Sequence, residues 1–528
     1  MTTTVVSAKD PAAENVLGPA PDGRRFQAVV ALARVEAREL LRQVLVALFF
    51  LAYAATAAWN IHSGHPGWHE LTGREGMADY PALQDADRAT QSGAMYLALA
   101  MFVCANRAVL RSRRSGTDPH FGVLVMEPWR RTLAHALSVV PFALFTGLVV
   151  AARFGAAALQ PGAVGHGSFF ELAVAPLTVL LGGVAGVLLG RLVPSVIVGP
   201  FLTVVLYVVT TSYWVYADNV QWSRWLAPVV TDSGADPVPS DLVGRPAAWH
   251  ALYLTGLAAA LLGLALLRSG NRTTRTKALT ALALLATAAG IAGQSPGPSA
   301  ALQAARVQVS DHPEKTESCT VRGATTYCAL PEWTGRTGDW AKATARVRSL
   351  AGGTAAVRPL TVRQRVEASY GIDGDAAYDP LTTPGTVTVT TRWGGNRVPE
   401  YSVGLASVLV AGDEKAGAGV CDGRVVTIMW LALGADPDPL ATLRDLRIDD
   451  SIEGGARVLT PTDGLSMSAA QTSVVRALLD RPRQSVTADV KAHWTQLTAP
   501  RTTTAQVARL LHVPAAVTGK GTGDACEK

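Results

Sequence analysis

Seven long apolar runs crowd the first 300 residues of this 528-residue chain, more than a water-soluble core of that length can absorb. They extend from Gln43 to Trp59, Ser92 to Leu110, Leu133 to Ala152, Phe169 to Gly190, Val193 to Tyr213, Trp249 to Leu267 and Ala278 to Gly293. Each comes near the roughly 20 residues that carry a helix across about 30 Å of hydrocarbon, the last run being on the short side. The chain is 49% hydrophobic and only 17% charged, with a mean hydropathy of +0.22. The expected fold class is a polytopic α-helical membrane protein of about seven transmembrane helices, followed by a C-terminal, mainly helical α+β extracytoplasmic domain.

The net charge of +6 does not point to nucleic acid. Its cations sit beside apolar runs instead of forming one stripe with interleaved aromatics, so the lipid bilayer is the expected partner. Arg24, Arg25, Arg34, Arg38 and Arg42 precede the first run, and Arg107, Arg111, Arg113, Arg114, Arg130 and Arg131 lie around the second connection. Arg191 follows the fourth run, and Arg268, Arg272, Arg275 and Lys277 follow the sixth. The alternate connections are poorer in cations: Asn60 to Gln91 carries Glu70, Glu75, Asp79, Asp85 and Asp87, and Arg153 is a lone charge between the third and fourth runs. The positive-inside rule then puts the N-terminus in the cytoplasm of a bacterial cell and everything after about Gln294 outside.

Cysteine usage agrees with that orientation. Cys104 stands alone within the second run, whereas Cys319, Cys328, Cys421 and Cys526 all fall in the region expected outside, where disulfides persist. Three pairings are open. The stretch CTVRGATTYC reads as a small hairpin around Gly323, which favours Cys319 with Cys328 and leaves Cys421 with Cys526.

Residues 1–23 are expected to be a disordered cytoplasmic tail. After it, residues 24–42 place Arg34, Arg38 and Arg42 at four-residue spacing opposite Phe26, Val29, Val30, Ala33 and Leu40, as in a helix lying in the membrane interface. Between the second and third runs, residues 111–132 hold an apolar patch between arginines. In SGTDPHFGVLVMEPWRRT, a polar N-cap precedes about two turns bearing Phe121, Leu124 and Val125, and Glu127, Arg130 and Arg131 lead into the next run. Positive-inside charge alone does not account for that apolar patch, which has the pattern of a docking element.

With these elements in place the chain resembles the permease subunit of a type-2 ABC transporter, in the actinobacterial form that carries an extracytoplasmic C-terminal domain. That family has an in-plane elbow helix, matched by Arg24 to Arg42, and a short coupling helix between spans 2 and 3, matched by Gly116 to Arg131. It also has an outer re-entrant element between spans 5 and 6, matched by the Trp- and Tyr-rich residues 213–230. The loop wording SGTDELL…PVSRRRR of the family is echoed, with His120 and Phe121 replacing the usual acidic and leucine residues. The resemblance covers about Arg24 to Leu267. It implies a homo- or heterodimer of exporter permease chains and an ATPase subunit contacted through Phe121, Leu124, Val125, Glu127, Arg130 and Arg131, while the sparsely polar lining of the runs suits a hydrophobic or amphipathic compound.

The chain has no GxxxxGK[ST] cradle, so ATP and magnesium are expected on the separate ATPase subunit, and no catalytic, cofactor or metal residues are assigned here. HELTG from His69 begins like a zinc-peptidase motif but puts Gly73 where the second histidine belongs. The runs offer few ionisable groups for a proton relay. Domain organisation is expected as a membrane region over 43–293, a Gly/Pro/Ser linker over 294–305 and an external domain over 306–528. The alternative is a membrane-anchored extracytoplasmic sensor or scaffold without transport activity.

Overall fold

A computed structural model describes residues 22–63, 80–117, 126–216, 221–230, 236–371, 378–449 and 455–514. Phe121, Leu124, Val125 and Cys526 lie outside these residues, as does His69.

The first half is a layer of helices: α1 (Asp22–Leu41), α2 (Val44–Ser63), α3 (Leu83–Ala89), α4 (Ala94–Arg114), α5 (Pro128–Leu137), α6 (Val140–Ala158), α7 (Phe169–Leu192), α8 (Val198–Tyr216), the short α9 (Gln221–Arg224) and α10 (Ser240–Val243), α11 (Ala247–Arg268) and α12 (Thr274–Gln294). Among the described residues six segments, one fewer than the seven expected, are long and apolar enough to cross a membrane: α2, α3 with α4, α5 with α6, α7, α11 and α12. Helix α8 contains a shorter apolar stretch, Val198–Thr211. It packs along the first part of α4: Gly199 lies against Asn106, and Tyr207 packs on Tyr96, with ring centroids 6.2 Å apart.

One expected run begins at a turn and another is a broken helix. The chain turns through Thr90–Gly93 between α3 and α4, where Gly93 takes a φ of +84°, a conformation that costs other residues more. The third run divides at Ser138–Val139, and Pro141, which has no amide to donate, falls in the first turn of α6.

Helix α4 is the most buried of the spans. A Cβ placed on Gly182 or Gly186 of α7 would come within 2.4 or 2.2 Å of the carbonyl oxygens of Ala98 or Phe102, so only bare backbone lets the two helices meet this closely. Around them Phe50 and Tyr53 of α2, Met101 and Cys104 of α4, Phe142 of α6 and Val179 of α7 fill one core. Leu48 and Leu51 of α2, Phe201 and Val204 of α8, and Leu282 and Leu285 of α12 are exposed, as lipid-facing side chains are.

The second half begins with α13 (Ala300–Asp311), whose first turn is capped by Ser299. A four-stranded sheet follows in the order β1 (Ser318–Arg322), β2 (Thr325–Ala329), β3 (Leu360–Gln364), β4 (Thr386–Val389). The β1–β2 pair is antiparallel, turning at Gly323 and setting Cys319 opposite Cys328, while β2, β3 and β4 are parallel. Helices α14 (Thr337–Leu350), α15 (Arg397–Ala411) and α17 (Arg424–Leu433) bury Trp340, Tyr401 and Trp430, with α16 (Glu414–Ala418) between the last two. A three-stranded antiparallel sheet, β5 (Arg447–Asp449), β6 (Ala456–Val458) and β7 (Leu465–Met467), follows α18 (Pro439–Leu446). The chain then continues through α19 (Ala469–Leu479), α20 (Arg483–Ala492), α21 (Trp494–Leu497) and α22 (Thr504–Leu510). The C-terminal region thus combines many helices with two small sheets, in keeping with an α+β domain.

Connections of the first half enter the hydrophobic core of the second. Tyr80, Ala82, Val164, Val238 and Val243, from the connections at one end of the helical layer, pack in the same cluster as Trp333, Trp340 and Val362. Polar contacts reinforce it: Arg306 donates from Nε to the Leu242 carbonyl at 2.8 Å and from Nη2 to that of Val243 at 2.7 Å, and the Ser240 amide donates to Glu332 at 3.1 Å. Of the expected linker, only Ser295–Ser299 is free of helix. Cys319 and Cys328 are disulfide-bonded, and Cys421 is bonded as well; among the described cysteines Cys104 alone is a free thiol, and it is buried.

Candidate functional site

The end of the layer opposite the C-terminal domain gathers the residues read as an elbow and a docking loop. Val29 and Ala33 of α1 are buried against Ala134 of α5, with Leu32, Leu133 and Leu137 around them. This apolar seam fixes the rotation of α1, and Arg34, Arg38 and Arg42 accordingly lie on its exposed side. Phe26, grouped by its spacing with the apolar face, is 59% exposed instead.

Charge pairs tie α1 to its neighbours. The Arg111 guanidinium at the end of α4 pairs with Glu36 and lies 3.7 Å from Glu39, and Glu39 takes Arg42 at 2.8 Å. The His135 ring of α5 is 3.7 Å from Glu36. Burial pushes the Glu36 carboxyl above its usual range, with Arg111 pulling it back.

The flanks of the loop are well defined. Ser115 is the C-cap of α4, and Gly116 follows with a φ of +68°, a usual helix ending. On the far side Glu127 precedes α5 with Pro128 in its first turn, and Arg130 reaches back to Glu127 at 2.9 Å while lying 5.0 Å from the Trp129 ring. Thr132 and Ser269 share a hydrogen bond of 2.7 Å, linking α5 to the turn between α11 and α12. The structure thus brings α1, Arg111, Glu127, Arg130 and Arg131 to one end. Phe121, Leu124 and Val125 belong to the segment between Thr117 and Met126, outside the described residues.

A second polar centre, at the opposite end, was not anticipated. Arg88 of α3 meets Glu171 of α7 at 3.0 Å, and Gln91 donates to the same carboxylate at 2.5 Å. Arg245 lies 3.4 Å from Asp87, which accepts the Ser168 amide at 2.7 Å. His250 and Gln294, both buried, meet at 3.1 Å, and Gln294 donates to the Trp225 carbonyl at 2.9 Å. These residues lie at the edges of apolar runs or in connections, where no periodicity singles them out. Only the unlike charges of Asp87, Arg88 and Glu171 at run boundaries offered a signal. Arg153, read as part of a connection, lies inside α6.

In the C-terminal domain a cavity of about 480 Å³ lies between the β1–β2 hairpin and α14, lined by Arg322, Tyr327, Thr344 and Arg348. The Arg348 guanidinium is spent on the Ala356 and Arg358 carbonyls and the Thr325 hydroxyl. Glu317, Cys319 and Cys328 come together at ligand distance, but both sulfurs are committed to the disulfide. Compared with family models, curated proteins and solved structures, the chain matches none.

Proposed function

We propose that the chain is the membrane-spanning permease subunit of an ATP-driven ABC transporter that exports a hydrophobic or amphipathic compound, with hydrolysis on a separate ATPase subunit. The observation that carries this reading is the position of α1. An amphipathic basic helix is pinned by Glu36 to Arg111 and by an apolar seam to α5, so it braces both helices from which the 111–132 loop emerges. A partner pushing on that loop would move the ends of α4 and α5 together, and α4 contacts α7 along bare backbone. Under this reading the exposed Arg34, Arg38 and Arg42 face anionic lipid headgroups. The C-terminal domain then stands outside the cell.

The alternative, an external sensor or scaffold anchored in the membrane, draws on the core that Tyr80, Val164 and Val238 share with the domain. Copurification separates the two. The unaltered chain is expected to retain an ATPase bearing a Walker motif, and Phe121→Asp with Leu124→Asp is expected to release it, because each buried, unpaired charge costs several kcal/mol. Retention of the ATPase with normal hydrolysis by the double variant would remove the loop from the coupling role.

A further inference from the structure

Arg153 is a buried cation with no counter-charge beside it among the described residues. It lies in α6, about a turn and a half from the end that meets the C-terminal domain, and is 9% exposed. Its guanidinium donates to the Ser92 hydroxyl at 3.3 Å and lies beside the Tyr53 hydroxyl. Both are neutral and otherwise engaged: Tyr53 donates to the Thr90 carbonyl at 3.2 Å, and Ser92 to that of Ala89 at 2.8 Å. Among the described residues no carboxylate stands within ion-pair distance of Arg153, whereas its neighbours Arg88 and Arg245 meet Glu171 and Asp87.

A guanidinium withdrawn from water is costly unless a counter-charge joins it, and ionisable groups at membrane depth mark ligand and ion sites. The surroundings favour an anion further. Ser92 belongs to the Thr90–Gly93 turn, and α4 starts there with no side chain capping its first amides, so the positive end of that helix adds to the same field. Irregular backbone at this depth is tolerated where it is enclosed by protein or lines a site. Leu48 and Leu51 of α2 and Leu144 and Leu148 of α6 are exposed, so the helices that carry Tyr53 and Arg153 both offer apolar surface to a hydrocarbon tail.

We propose that Arg153, with Tyr53 and Ser92, holds the phosphate headgroup of an anionic amphiphile whose tail lies against α2 and α6. This site goes beyond the transport reading and does not depend on an ATPase partner.

The test uses the purified full chain in dodecyl maltoside, titrated with dodecyl phosphate in one arm and inorganic phosphate in the other, with binding read as a saturable rise in unfolding temperature. Dodecyl phosphate is expected to stabilise the unaltered chain. Arg153→Gln is expected to weaken that binding by about tenfold or more, and Arg153→Lys, which keeps the charge without the planar fork, by less. Equal stabilisation by inorganic phosphate, lost in Arg153→Gln, would keep the phosphate site and make its source the free ion. Stabilisation by neither compound, or undiminished binding by Arg153→Gln, overturns the proposal. Should Arg153→Gln fail to fold, a photoreactive dodecyl phosphate on the unaltered chain decides: label on peptides carrying Tyr53, Ser92 or Arg153 supports the site, and label confined to other peptides refutes it.

Discussion

Glu36 and Arg111 are unequal partners, and the inequality is measurable. Glu36 is largely buried, whereas Arg111 keeps nearly half of its side chain in solvent. Removing the cation as Arg111→Met strands a desolvated carboxylate and should destabilise the chain by about 1–3 kcal/mol, while Glu36→Gln removes the costly charge and should cost less. Thermal unfolding of the two variants side by side gives the order. The pH dependence has a definite sign. The folded-state pKa is raised above the ordinary 4.5, so the folded form binds the extra proton, and the contribution of this carboxyl falls as pH rises from about 4.5 through the raised value. Glu36→Gln should flatten that part of the stability profile. The face carrying Arg34, Arg38 and Arg42 was legible because a helix repeats within a few residues. The Glu36–Arg111 pair was not, since its members stand 75 residues apart and leave no local pattern. Arg153 was assigned to a connection because a single charge interrupts an apolar run without showing where the helix ends.

Helices in the layer meet through glycine, and that too has a control within the molecule. Gly186→Ala would drive its Cβ to 2.2 Å from the Phe102 carbonyl oxygen, and forcing α4 and α7 apart should cost about 1–3 kcal/mol. Gly155→Ala in α6 meets nothing within 4 Å and should be neutral or slightly stabilising, an outcome the same melting experiment records. In the C-terminal domain the β1–β2 hairpin was legible from Cys319, Gly323 and Cys328 together, because a bridge and a turn residue constrain a ten-residue stretch. Cys319→Ser with Cys328→Ser should lower stability by about 2–3 kcal/mol in the chain-entropy view, and disulfide mapping of the unaltered chain should pair Cys421 with Cys526. The parallel pairing of β2 with β3 and of β3 with β4 could not be read, since strands this short are joined across long separations and their alternation resembles a helix edge. The break at Ser138–Val139 was likewise hidden, because apolar composition continues through it.

At the scale of the whole molecule the chain has two unlike ends. One holds α1, the arginine-rich flanks of the 111–132 loop and the Thr132–Ser269 link; the other holds the charged centre around Asp87, Arg88 and Glu171 and the domain built on it. Basic alternate connections announced this polarity before any packing was known, because charge distribution survives without contacts. The seating of the domain did not show in sequence: Tyr80, Val164 and Val238 are scattered single residues that become one surface only after folding. The transport reading requires the first end inside the cell and the second outside. Single cysteines test this directly, since Cys104 is buried and Ser115 and Thr334 are both exposed. In intact cells an impermeant thiol reagent should label Thr334→Cys and leave Ser115→Cys untouched until the cells are opened. Labelling of Ser115→Cys in intact cells, with Thr334→Cys reacting only after lysis, would contradict the orientation and the permease function built on it.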